Sequence, residues 1–201
     1  MKSKILIVFI FLLVWSYSEA QDKGRNCRNW IIPKYLNLQY SGGVGNYVIG
    51  AGYILNQAQS LRLIFQYGFT PKYKAENTLH TSGIKFSYYP VQLKLFNDFS
   101  IIPDVSLGIS KVFSDGPGTF TRLPSYYPDG YYAPNAFRFH FNLGGVFRYD
   151  LDPKHFIKAI ELYIETTTND LYVSYYFKYE PIKITDIFSM AIGVNIIMGR
   201  W

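Results

Sequence analysis

Arg138, His140 and Asn142 stand at alternate positions of one stretch, and Glu161, Tyr163 and Glu165 at alternate positions of a later one. On extended backbone alternate side chains share a face, so each trio forms a patch. If the two stretches are adjacent strands with these faces turned inward, a guanidinium, an imidazole and two carboxylates meet away from water. Such a meeting supports either an acid/base site or ion pairs that neutralise buried charge, with Arg138 paired to Glu161 or Glu165. Structural ion-pair networks also perturb titration, so the preferred reading is a polar network of Arg138, His140, Asn142, Glu161 and Glu165 filling an interior.

The elements that must hold those faces are strands, and alternation runs through the chain from Lys34. Leu36, Leu38 and Tyr40 alternate with polar neighbours, and the turn Gly42 to Asn46 leads into Tyr47, Ile49, Ala51 and Tyr53. Leu61 to Phe69, Ile84 to Tyr88, Val105 to Ser110 and Phe137 to Gly144 repeat the pattern. The closing segment, Asp186 to Trp201, sets Phe188, Met190, Ile192, Val194, Ile196 and Met198 against Ser189, Ala191, Gly193, Asn195 and Gly199. A strand at the end of the chain suits a sheet that closes on its first strand and leaves no edge. Counting decides how to read residues 156–179. Two strands there make nine, whereas one strand with a bulge near Thr167, held by Thr166 to Asp170, makes the even number that single-chain bacterial barrels use. The expectation is eight strands, an all-β, antiparallel, up-and-down transmembrane β-barrel. The longest irregular stretch, residues 114–135, carries Tyr126, Tyr127, Tyr131 and Tyr132, which suit a binding loop because tyrosine offers contact area at little entropic cost.

Composition says which way the faces point. The face opposite the apolar one is mostly Gly, Ser, Asn and Gln, and charged residues make up 17% of the chain, largely in loops. A soluble barrel would cover its water-facing side with Lys and Glu; small polar residues suit a narrow interior. Aromatic residues at 19%, with 19 Tyr and 16 Phe, suit the belts where a barrel meets lipid headgroups. Residues 1–20 read as a cleaved signal peptide: Lys2 and Lys4, an apolar core from Ile5 to Trp15, and small residues at Ser18 and Ala20. Residues 21–33 read as a periplasmic lead-in and 34–201 as the barrel, placing the protein in the cell outer membrane with loops facing the exterior. The net charge of +6 forms no run, which argues against nucleic acid as partner. One cysteine and three scattered histidines give no metal or cofactor motif.

The signal peptide, the two-residue rhythm and the terminal Trp201 together resemble the small eight-stranded outer-membrane barrels of the OmpX-like and PagL-like (lipid A deacylase) type. The resemblance covers residues 34–201 and is architectural. It implies a monomer, outer-membrane lipid and lipopolysaccharide as surroundings, and recognition by the barrel-assembly machinery through the C-terminal strand, although Trp201 falls on the Gly199 and Asn195 parity. The deacylase branch implies a His-x-Ser pair with a supporting carboxylate, and His80-Thr81-Ser82 matches that spacing; His140 with Glu165 is the alternative. The expected function is a non-enzymatic outer-membrane barrel presenting loops for binding or envelope maintenance. A lipid A-modifying hydrolase and a secreted, soluble ligand-binding barrel are the other readings.

Overall fold

The structure, a computed structural model, describes residues 32–75, 78–114, 137–152, 154–178 and 183–199. Residues 1–20, expected to be a signal peptide, most of the expected lead-in, the four loop tyrosines and Trp201 lie outside the described residues. The strands are β1 (Tyr35–Ser41), β2 (Tyr47–Ile54), β3 (Leu61–Thr70), β4 (Leu79–Tyr88), a two-residue β5 (Leu93–Lys94), β6 (Phe99–Ser114), β7 (Phe137–Asp150), β8 (Ile157–Asn169) and β9 (Ser189–Met198). Each long strand pairs antiparallel with its neighbours, β4 pairs with β6 past the β5 excursion, and β1 pairs with both β2 and β9. The eight long strands therefore form a closed antiparallel β-barrel with no free edge. Lys34, Gly199 and the β2–β3 turn mark the terminal end; the β1–β2 turn and the residues after Asn169 mark the loop end.

Residues 156–179 differ from the single bulged strand expected of them. Within that range Ile157–Asn169 form β8 and Asp170–Lys178 form helix α1. The cause is a cap: Asn169 Oδ1 accepts a 2.9 Å hydrogen bond from the Tyr172 backbone N–H, satisfying a donor of the first turn. Asp170 at the start of α1 and Lys178 at its end complement the helix dipole. The register irregularity of β8 sits at its other end, between Ile157 and Ala159 against β9. The strand count of eight survives because a helix, rather than a ninth strand, follows Asn169.

The alternation also sorts the side chains as the periodicity requires. Leu36, Leu38, Ile49, Leu107, Leu162 and Ile192 are exposed on the outside, while Asn37, Gln66, Lys85, Ser106, Glu161 and Asn195 are buried inside. Aromatic side chains gather toward the strand ends on the outer face. Tyr40, Tyr47, Phe69, Phe113 and Phe137 are exposed near the loop end, and Tyr88 and Tyr149 near the terminal end. Inside, space is made by glycine set directly across from large residues. Tyr35 pairs with Gly52 and Tyr163 with Gly193, and a Cβ on Gly52 would lie 2.0 Å from the Tyr35 ring, one on Gly193 2.4 Å from the Tyr163 hydroxyl. No other residue fits beneath those rings. Two apolar clusters, Tyr35 with Ile64, Ala159 and Ile197, and Tyr89 with Ile102, Val146 and Tyr163, complete the packing.

Candidate functional site

The chemistry of the described residues is concentrated in the lumen. Arg62 on β3 reaches across to Glu161 on β8 with two bonds, Nη1 to Oε2 at 2.6 Å and Nη2 to Oε1 at 2.9 Å, and both side chains are wholly buried. The fork geometry of a guanidinium suits a carboxylate in this way. The same guanidinium lies 4.2 Å from the Tyr89 ring centroid and 5.5 Å from that of Tyr35, so the rings cover its faces. Glu161 also accepts from Asn195 Nδ2 at 3.1 Å and from Arg148 Nη1 at 3.4 Å. Arg148 is held in turn by Asp150 at 2.7 Å and by Gln59 Oε1 at 2.7 Å. Gln59 lies in the β2–β3 turn with φ 57°, and that left-handed backbone turns its carbonyl to within 3.4 Å of Arg62 Nε while its side chain serves Arg148.

Toward the loop end an amide relay follows. Asn37 Nδ2 lies 2.8 Å from Asn195 Oδ1 and 2.9 Å from the Tyr163 hydroxyl, which itself donates to Gln39 Oε1 at 2.8 Å. Next comes a second cross-lumen pair, Lys85 on β4 with Glu165 on β8, at 2.9 and 3.1 Å. Each partner lies opposite a glycine in the neighbouring strand, Lys85 across from Gly108 and Glu165 across from Gly144. Asp104 is the remaining buried carboxylate, with Oδ1 lacking a hydrogen-bond partner among the described residues. Arg62, Lys85 and Arg148 thus balance Glu161, Glu165 and Asp104 in number.

Near the loop end, the His140 ring on β7 points inward, and its Nε2 lies 2.6 Å from Ser110 Oγ on β6. Its Nδ1 has no hydrogen-bond partner among the described residues, and neither does the neighbouring Thr167 hydroxyl. Gly43 of the β1–β2 turn sits against both: a Cβ there would be 2.6 Å from His140 Nδ1 and 3.1 Å from Thr167 Oγ1. A cavity of about 10 Å³ bounded by Gly43, His140, Thr167 and Glu165 has room for about one water molecule. The arrangement can hold a polar interior together. Nucleophilic catalysis by a Ser–His pair needs an orienting acid on the far ring nitrogen, and among the described residues no carboxylate bonds Nδ1.

The residues singled out from sequence fall in three places. Asn142, His140, Glu161 and Glu165 are buried in the lumen, where Asn142 Nδ2 reaches Ser106 Oγ at 3.1 Å. Arg138 does not meet either glutamate; its guanidinium lies 3.8 Å from Asp170 at the start of α1. The register explains this. Arg148 is opposite Glu161 and Gly144 opposite Glu165, whereas Arg138 lies two positions beyond His140, the last β7 residue at the loop end to pair with β8. The glutamates instead take Arg62 and Lys85, which sequence reasoning passed over although both carry the inward parity of their strands. His140 and Glu165 line one cavity, but His140 Nε2 is taken by Ser110 and the Glu165 carboxylate by Lys85. His80 and Ser82 share the outward face of β4 with Ile84 and Tyr88. There the His80 ring contacts the Tyr67 hydroxyl through Nδ1, and Ser82 is exposed.

Fold and interior together define a small, closed eight-stranded β-barrel with an ion-paired lumen. No protein-family model and no curated protein matches the chain.

Proposed function

We propose that the mature chain is an outer-membrane barrel, exported by the signal peptide at residues 1–20, that acts without catalysis and presents its loop end for binding or envelope maintenance. The observation that carries this reading is the inversion of the two faces. Leucine, isoleucine and aromatic side chains cover the outside, while arginine, lysine and glutamate are buried inside. In water that arrangement exposes a continuous apolar surface far larger than soluble monomers tolerate. In lipid it is the arrangement that pairs the strand backbone around the closed sheet and keeps the charged groups of the lumen away from hydrocarbon.

Dimensions agree. Ten-residue strands such as β3 and β4 are about 33 Å long and, at a tilt of about 40°, stand about 25 Å high, the apolar height of an outer membrane. Arg62 to Glu161 and Lys85 to Glu165 cross the lumen at two levels, which favours a plugged barrel over a diffusion pore. The fractionation of a Gram-negative host expressing the full chain tests this. Recovery in the outer membrane, with faster gel migration unheated than boiled, is the expected result; recovery in the soluble periplasm or medium overturns it. Lipid A from the same cells is expected to keep its acyl chains, and the loss of one on expression would replace the non-catalytic reading with a hydrolase.

A further inference from the structure

Among the described outward-facing strand residues near the loop end, Lys111 carries the one lysine, arginine or carboxylate charge. Lys111 on β6 shares its parity with Leu107 and Phe113, and its direct cross-strand neighbours are Ser82 on β4 and Phe137 on β7. Its ammonium lies 5.5 Å from the Phe113 ring centroid and 5.2 Å from that of Phe137. The ion pairs among the described residues are formed by other cations. At the same end of the neighbouring strands, the outward positions carry Tyr47, Phe69, His80 and Phe139, none of them an anion, and the Asp170 carboxylate at the start of α1 lies with Arg138.

Beside the ammonium runs a groove of about 740 Å³ lined by Ile49, Phe65, Ile84, Ile109, Phe113 and Phe137, with Ser82 and Lys111 also on its wall. A cation fixed over an apolar groove and next to a hydroxyl matches an amphiphile with a negative head and a hydrocarbon tail.

We propose that this face binds an anionic, phosphate-bearing lipid of the leaflet at the loop end. The phosphate sits on the Lys111 ammonium, the Ser82 hydroxyl donates a second hydrogen bond, and an acyl chain occupies the groove. The choice of a phosphate lipid with net negative charge over a zwitterionic one, whose phosphate is offset by a cation, follows from charge. An ammonium at a membrane interface gains from each anionic neighbour, whereas a choline head brings a cation of its own. The two rings hold the lysine stem on the barrel wall and keep the charge at headgroup level.

The proposal rests on the membrane location proposed above, and its test separates the two. The full chain is purified in detergent and exposed to an equimolar mixture of phosphatidylglycerol and phosphatidylcholine with identical acyl chains, and retained lipid is counted by native mass spectrometry. The wild-type barrel is expected to retain phosphatidylglycerol about fivefold over phosphatidylcholine. Lys111→Gln reduces that ratio to near one, Lys111→Arg keeps it, and Lys158→Gln, altered at the terminal end, also keeps it. Unheated gel migration identical to wild type shows that each variant is folded. Equal retention by the wild type, or an unchanged ratio in Lys111→Gln, overturns the lipid site while leaving the barrel in its membrane. A dimer that Lys111→Gln dissolves assigns the groove to a second copy and also overturns it. Absence of the protein from the membrane fraction instead defeats the location itself.

Discussion

The two ends of the lumen are built to different standards. At the terminal end Glu161 has Arg62, Arg148 and Asn195 around it, both arginines also take atoms of Gln59, and two tyrosine rings cover Arg62. None of the buried side-chain atoms of Arg62, Arg148, Glu161 and Asn195 lacks a partner, and Asp104 Oδ1 is the orphan nearest to this cluster among the described residues. At the loop end Glu165 has Lys85 alone, and His140 Nδ1, Thr167 Oγ1 and Thr168 Oγ1 lack hydrogen-bond partners among the described residues. A network with all its members satisfied makes a region rigid, while orphaned atoms lower the cost of rearranging it. The difference assigns stability to the terminal end and leaves the loop end, which carries the β1–β2 turn and α1, as the part that can change on binding.

The largest effect tests that assignment directly. Glu161→Ala leaves Arg62 buried against two rings with no carboxylate, and the expected loss is about 3–5 kcal/mol in urea unfolding of the detergent-folded barrel. Glu165→Ala is expected at the low end of that range, since the Lys85 ammonium also lies in the field of Asp104 and its flexible stem can reorient. If Glu165→Ala costs as much as Glu161→Ala, the two ends are equivalent and the comparison fails. Replacing the second pair as a unit, Lys85→Met with Glu165→Leu, should restore most of the loss, because a matched apolar pair removes both desolvation penalties.

Next in size is Gly193→Val, which drives two methyls toward the Tyr163 hydroxyl and the Leu38 carbonyl. Overpacking of that kind costs about 1–3 kcal/mol, and here it also breaks the relay from Tyr163 to Gln39 and Asn37. A milder change is Asn169→Ala, which removes the α1 cap for about 1 kcal/mol. The informative readout is local. Proteolysis at α1 should accelerate while the unfolding midpoint of the barrel moves little; a large midpoint shift would show that α1 belongs to the barrel's cooperative unit.

These expectations also mark what the sequence could disclose. A period of two is written into each strand independently, so the inward identity of Glu161, Glu165, His140 and Asn142 was legible one strand at a time. Partnership across a lumen is not local. It depends on strand count and stagger together, and so sequence pairs Arg138 on the adjacent strand with Glu161 or Glu165, whereas the partner of Glu161, Arg62, lies 99 positions away on β3. The helix was hidden for another reason. Leu171, Val173, Tyr175 and Phe177 alternate as a strand would, and their β-branched and aromatic types favour one. What ends β8 is the cap at Asn169, with Asp170 and Lys178 in the places a helix dipole favours, and these signals were present but weaker than the parity.

The smallest predicted effect is the sharpest probe of the loop end. Thr167 is 3% exposed and its hydroxyl lacks a hydrogen-bond partner among the described residues. A buried hydroxyl without a partner has already lost its bonds to water, so exchanging it for a methyl of the same shape removes a penalty and no interaction. Thr167→Val should therefore leave the unfolding midpoint unchanged or raise it, by up to about 1 kcal/mol. Asn195→Leu at the terminal end supplies the contrast, because it strips a donor from Glu161 and an acceptor from Asn37, at a cost of about 1–3 kcal/mol. A water in the small cavity beside His140 would reverse the first expectation: Thr167→Val would then destabilise by severing a bridge between Oγ1 and Nδ1. In that event the two ends of the lumen would be equally satisfied, and the softness assigned to the loop end would have to come from α1 and the turns alone.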